Sequence, residues 1–153
     1  MEEGKSHIIV FSGDIGNSND LILPNLQKCE KADTLYVEST YGDRNHGAIE
    51  ETIAKFKKIV LDTLSQHGTV LIPSFAAERT QEILCILRDM HESGELPKCK
   101  VFLDSPMVTK ATEVYKSFSS NLNIRCQKNV KFDGTVFNFE GLNFGIYSNA
   151  NGV

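Results

Sequence analysis

The feature that most constrains the fold is an alternation of short apolar runs with helical repeats. Four runs, "HIIVF" (7–11), "TLYV" (34–37), "TVLIP" (69–73) and "KVFLD" (100–104), read as strands. Between the second and third, Ile49, Ile53, Phe56, Val60 and Leu64 recur at steps of four, three, four and four, which places them on one face of a helix that Gly68 ends. A second helix is expected from near Ala77, with Ile83, Leu84, Leu87 and Met90 on its buried side and "ESGELP" as its stop. A third runs from about Val108 to Phe118, with Ala111, Val114, Tyr115 and Phe118 facing inward. This order implies an α/β fold: a parallel-rich sheet flanked by helices in three layers. Strands apolar on both faces fit a sheet covered on both sides.

In open parallel sheets ligands gather beyond the carboxyl ends of the strands. Each expected strand ends in a polar signature: "SGD" (12–14), "ESTYGDR" (38–44), "PSFAAERTQE" (73–82) and "DSPM" (104–107). Four such ends point to a shared polar cleft. Asp14, between Gly13 and Gly16, reads either as a metal ligand on a tight turn or as an Asx-turn residue. Glu38 reads either as a carboxylate orienting a histidine or as one satisfied by nearby amides, and in both cases it needs partners. Asp43, Arg44 and His46 suit a phosphate contact and equally suit the polar approach to the next helix. Ser74 can cap a helix, and Arg79 and Thr80 in its first turn can meet an anion. A cation there opposes the helix dipole, so Arg79 requires an anionic ligand or a carboxylate such as Glu78 or Glu82. Ser105 before Pro106 makes a well-formed helix start and is also a candidate phosphate contact.

Composition removes several classes. With 153 residues, 41% of them apolar, the chain is long enough for one ordinary core. A net charge of -4 argues against a protein that coats nucleic acid through charge alone. Cys29, Cys85, Cys99 and Cys126 form no C-x-x-C pair, and neither H-x-H nor H-E-x-x-H occurs, so metal fingers and zinc-protease motifs are excluded. His7, His67 and His91 make no ligand set. No Walker loop, G-x-G-x-x-G or signal peptide is present, no run has membrane-spanning length, and a cytoplasmic protein with reduced thiols is expected. The Asn-, Gly- and Phe-rich stretch after Leu122 offers only short strand-like pieces, and its ending without a closing element suggests a truncated chain.

Taken in order, "FSGDIG", "YVESTYGDRNH", "GTVLIPSFAAERTQEIL" and "VFLDSPM" resemble the β-CASP branch of the metallo-β-lactamase superfamily, over about residues 8 to 118. The resemblance is to the RNA-processing members, of the ribonuclease J and polyadenylation-endonuclease type. It implies that residues 1–46 are the C-terminal strands of a metallo-β-lactamase half-domain and that 47–153 begin the β-CASP domain. It implies that Asp14 bridges two zinc ions, that Glu38 is a catalytic-site residue, and that Phe75, Arg79, Thr80 and Ser105 are candidates for one wall of the RNA cleft; Arg44, His46 and Ser74 join them as candidate RNA or phosphate contacts. The histidine metal motifs of such enzymes are missing from this sequence. The chain is therefore expected to be an interior fragment, inactive and holding no zinc alone, of a parent that hydrolyses RNA phosphodiester bonds; partners would be RNA and the missing segments of the same enzyme, with no membrane. The alternative is a non-catalytic doubly wound module that binds phosphate or nucleic acid.

Overall fold

The computed structural model describes residues 6–16, 20–123 and 137–145. In chain order the elements are β1 (Ile9–Phe11), β2 (Thr34–Tyr36), α1 (Ile49–Ser65), α2 (Arg79–Glu92), β3 (Val101–Leu103), α3 (Pro106–Ser117), a single 3-10 turn (Ser119–Asn121) and β4 (Leu142–Phe144). β1 pairs with β2 in parallel, Val10 opposite Leu35, and β3 pairs with β4 in parallel, Phe102 opposite Asn143. The α/β class with parallel pairing is therefore present. Among the described residues it takes the form of two separate two-stranded ladders rather than one sheet of four strand ends. The expectation of short strand-like pieces after Leu122 is met by β4, while 124–136 and 146–153 lie outside the described residues.

The helices follow their sequence periods. In α1, Val60 is buried, with Ile53, Phe56 and Leu64 half-buried on the same face. In α2, Leu84, Leu87 and Met90 are buried and Ile83 half-buried. Val60, Leu87 and Met90 form one cluster, joined by Phe56, Leu64, Val70 and Leu96. A second cluster gathers Leu84 and Cys85 from α2 with Leu21, Ile22, Leu122 and Phe137. Helix α2 thus lies between two apolar layers. Each fully buried side chain of this size contributes about 1.5–3 kcal/mol relative to exposure.

Three expectations fail. "TVLIP" is not a strand: Thr69–Pro73 lacks ladder bonds, and Leu71 is 88% exposed. β1 and β2 are strands but are not buried, since Ile9, Phe11, Leu35 and Tyr36 all stay open to solvent. An apolar strand needs cover on its faces, and no described helix supplies it. In α3 the inward face is Val108 and Thr112 with Ala111 and Tyr115, whereas Val114 and Phe118 are exposed. The apolar stripe was read one position out of phase, because Thr112 is buried through a hydrogen bond that hydropathy does not register.

Residues 20–23 tie the N-terminal part into the second cluster. Asp20 Oδ1 accepts from the N–H groups of Ile22 and Leu23 at 2.7 and 2.6 Å, an Asx turn that drives Leu21 and Ile22 inward. Asn123 closes the seam, its backbone N–H donating to Ile22 O at 2.6 Å and its side chain to Asp20 O at 2.8 Å.

Candidate functional site

The parallel pairing of β1 with β2 brings their carboxyl ends side by side. Glu38 stitches them together. Its N–H donates to Ser12 Oγ at 3.0 Å, and its Oε1 accepts from Ile15 N–H at 3.0 Å. Its Oε2 accepts from the Thr40 hydroxyl at 2.6 Å and from the Thr40 N–H at 3.2 Å. The Thr40 hydroxyl first, then the Ile15 and Thr40 amides, hold the Glu38 carboxyl below its ordinary value. Asp14, the neighbour of Ile15, stands on the same edge, exposed, on a turn in which Gly13 and Gly16 both take positive φ (57° and 69°). Glu38 is satisfied by the Ile15 and Thr40 amides together with the Thr40 hydroxyl, and the Ile15 bond ties it to the turn that carries Asp14.

On the following turn, Arg44 is clamped by Asp43 through two hydrogen bonds, at 2.9 and 3.1 Å, and lies 6.0 Å over the Tyr41 ring. His46 meets Tyr41 edge-on at 5.0 Å. All three are exposed.

A second group surrounds the start of α2. Ser74 does not cap the helix; no side chain does. Thr80 Oγ1 donates to Phe75 O at 2.6 Å, which leaves Ser74 Oγ to donate to Thr80 Oγ1 at 2.8 Å. Gln81, fully buried, donates through Nε2 to Ala76 O and to Thr112 Oγ1, both at 3.1 Å, while its Oε1 has no hydrogen-bond partner among the described residues. Glu78 adopts φ 67°, and Arg79 N–H closes a three-residue turn on Ala77 O at 3.0 Å. For a residue with a side chain this backbone costs about 1–3 kcal/mol, and the buried Thr80 and Gln81 hold the loop that leads into it through Phe75 O and Ala76 O.

Arg79 finds the carboxylate partner that its place in the first turn requires. Its Nη1 lies 2.7 Å from Glu82 Oε2. Glu82 is buried, and desolvation pushes its carboxyl up; Arg79 opposes this, and Asp20 and Glu78 add to it. Ser105 caps α3, accepting from Val108 N–H at 3.4 Å, as the sequence reading allowed. Ser74, Thr80 and Ser105 come together on one groove of about 750 Å³, walled by the 68–74 segment, α2 and β3. Asp14, Glu38, Arg44, His46, Phe75 and Arg79 lie outside its lining. Sequence reasoning missed Gln81 and Thr112. The available signal was a polar triplet, Thr80-Gln81-Glu82, at the start of a helix packed on both sides.

The comparisons with known proteins bear on this arrangement. Residues 80–148 match the Beta-Casp domain family. A ribonuclease of Thermus thermophilus is 42% identical over 115 residues, which is 75% of this chain and 26% of the relative. The chain carries a segment of the β-CASP domain family. The transcription termination factor FttA of Methanosarcina mazei is 30% identical over 76% of this chain and 19% of its own length. Cleavage and polyadenylation specificity factor 73 of Drosophila melanogaster is 30% identical over 80% of the chain and 18% of its own length. The aligned β-CASP segment thus spans about a quarter of these relatives or less.

The β-CASP family implies zinc. Among the described residues no group of three or more His, Cys, Asp and Glu side chains is placed to hold a metal ion. Asp14 contributes one exposed carboxylate, where a zinc site takes about three to four protein ligands. The described residues do not fit a zinc centre by themselves. Nor is any described helix long and apolar enough to cross a membrane.

Proposed function

We propose that this chain is the RNA-gripping segment of a metal-dependent ribonuclease that hydrolyses phosphodiester bonds, and that it needs further segments of the same protein for catalysis. The carrying observation is the β-CASP match over 80–148 together with a ribonuclease relative 42% identical over 75% of the chain. The ribonuclease relative favours this over a non-catalytic binding module. The geometry supports it in two places. Glu38 is a preorganised anion on the strand edge it shares with Asp14, ready to orient a cationic or N–H group from elsewhere. The starts of α2 and α3 open on one groove lined by Ser74, Thr80 and Ser105; the Ser74 and Thr80 protons are committed to Thr80 Oγ1 and Phe75 O, which leaves the Ser105 hydroxyl of the three as a donor suited to a phosphate. In the same reading, residues 1–46 form the edge of a three-layer metallo-β-lactamase domain and 47–153 begin the β-CASP domain. Asp14 would supply one ligand to a pair of zinc ions, and Arg44, His46, Phe75 and Arg79 would face the RNA. The thiols of Cys29 and Cys99 suit a reducing, cytoplasmic setting.

The test is cleavage of single-stranded RNA. The full-length protein is expected to cut it in a chelator-sensitive reaction that Glu38→Gln slows by at least about tenfold, a typical scale for losing a positioned carboxylate. The 153-residue chain with added zinc is expected to show no cleavage. Robust cleavage by that chain overturns its dependence on further segments, and a full-length protein inert toward RNA overturns the reaction.

A further inference from the structure

Among the described residues Phe75 is the most exposed aromatic, at 86%. Single exposed apolar side chains are ordinary, and Leu71 is one. What separates Phe75 is the backbone beneath it. Its carbonyl is held by the buried Thr80 hydroxyl, and the next carbonyl, Ala76 O, is held by the fully buried Gln81. Gln81 is in turn anchored on the fully buried Thr112 of α3. The loop then closes through the positive-φ residue Glu78. Polar side chains inside a packed helix pair are thus committed to fixing a loop that carries an exposed phenyl ring. Strain and buried hydrogen bonds spent on presenting an apolar group to solvent suit a contact surface that is set before its ligand arrives.

We propose that Phe75 is a stacking platform for one unpaired base of single-stranded RNA, with Gln81 and Thr112 as positioning residues that hold it rigid. The inference rests on the RNA-processing reading and adds to it the kind of contact made. Ser74, which precedes Phe75, lines the groove together with Thr80, so a strand whose base covers the ring can run on into that groove. A phenyl face accepts any base, which makes the contact tolerant of sequence. Arg79, four residues on and exposed, supplies charge to the same strand.

The experiment compares binding of a single-stranded oligoadenylate with that of an abasic ribose-phosphate oligomer of equal length, using the full-length protein. Phe75→Ala is expected to weaken oligoadenylate binding by about tenfold or more and to leave the abasic oligomer unchanged. Phe75→Trp is expected to keep the preference for bases. Thr112→Val, which removes the hydroxyl that Gln81 donates to, should reproduce part of the base-specific loss, and Thr112→Ser should restore it. Phe75→Ala binding both oligomers as wild type does, or losing both alike, overturns the platform while RNA binding itself stands. Equal behaviour of the Thr112 Val and Ser variants overturns the positioning role. A wild-type protein that binds neither oligomer overturns the RNA reading along with the platform.

Discussion

Glu38 and Glu82 occupy opposite kinds of environment, and pH separates them. Glu38 is an anion stabilised by donors, so its folded pKa lies below 4.5. Its contribution to stability is present above that value and is lost as pH falls through the folded value. Thermal melts in mild acid are expected to show this limb in the wild type and a flatter one in Glu38→Gln. Glu82 is a buried acid whose folded pKa lies above 4.5. The folded state then binds the proton more tightly than the unfolded chain, so its contribution is full below 4.5 and declines as pH rises toward the folded value. Glu82→Gln is expected to remove that decline. Arg79→Ala, which deletes the opposing charge, is expected to extend it to higher pH, and melts at intervals between about pH 4 and 7 check both. Glu38 was legible in the sequence because a carboxylate at a strand end must find partners. Glu82 was legible only as the partner of Arg79, because its burial depends on Asp20 and on packing from far along the chain.

At the scale of elements, helices α1 and α2 were readable because each carries its own burial pattern and each packs on the other. Ser105 was readable as a cap because the residues that define it are adjacent. Strand burial was not readable: "HIIVF" and "TLYV" declare an apolar ladder, but the layer that should cover it is not a property of either run. "TVLIP" declares a strand yet is one wall of the groove without ladder bonds. The β3–β4 pair depends on one backbone position. Gly141 has φ 97°, its carbonyl accepts from Val101 N–H at 2.9 Å, and a Cβ there would come within 2.4 Å of Cys99 O. Gly141→Ala is expected to destabilise by about 2 kcal/mol or more, adding a backbone clash to the cost of positive φ. Hydrogen exchange should report the loss first at Val101 and Gly145. Thr112→Val takes an acceptor from fully buried Gln81, and chemical denaturation is expected to show about 1–3 kcal/mol of lost stability.

For the whole molecule, the proposed RNA reading divides the work of binding between charge and groove. A net charge of -4 leaves little general attraction for a polyanion, so binding must come from placed groups. Arg79→Ala is expected to weaken RNA binding by the full-length protein and to lower the slope of log affinity against log salt by ~0.7, the value for one phosphate contact on a single strand. An unchanged slope would assign Arg79 to Glu82 alone. The seam at residues 20–23 has a different consequence. Asp20 and Ile22 are bonded to Asn123, and Leu21 and Ile22 fill the same cluster as Leu84 and Phe137. For anyone exchanging parts between relatives, the transferable unit therefore does not begin at residue 47: a graft cut there would leave its own keystone, Ile22, behind in the donor.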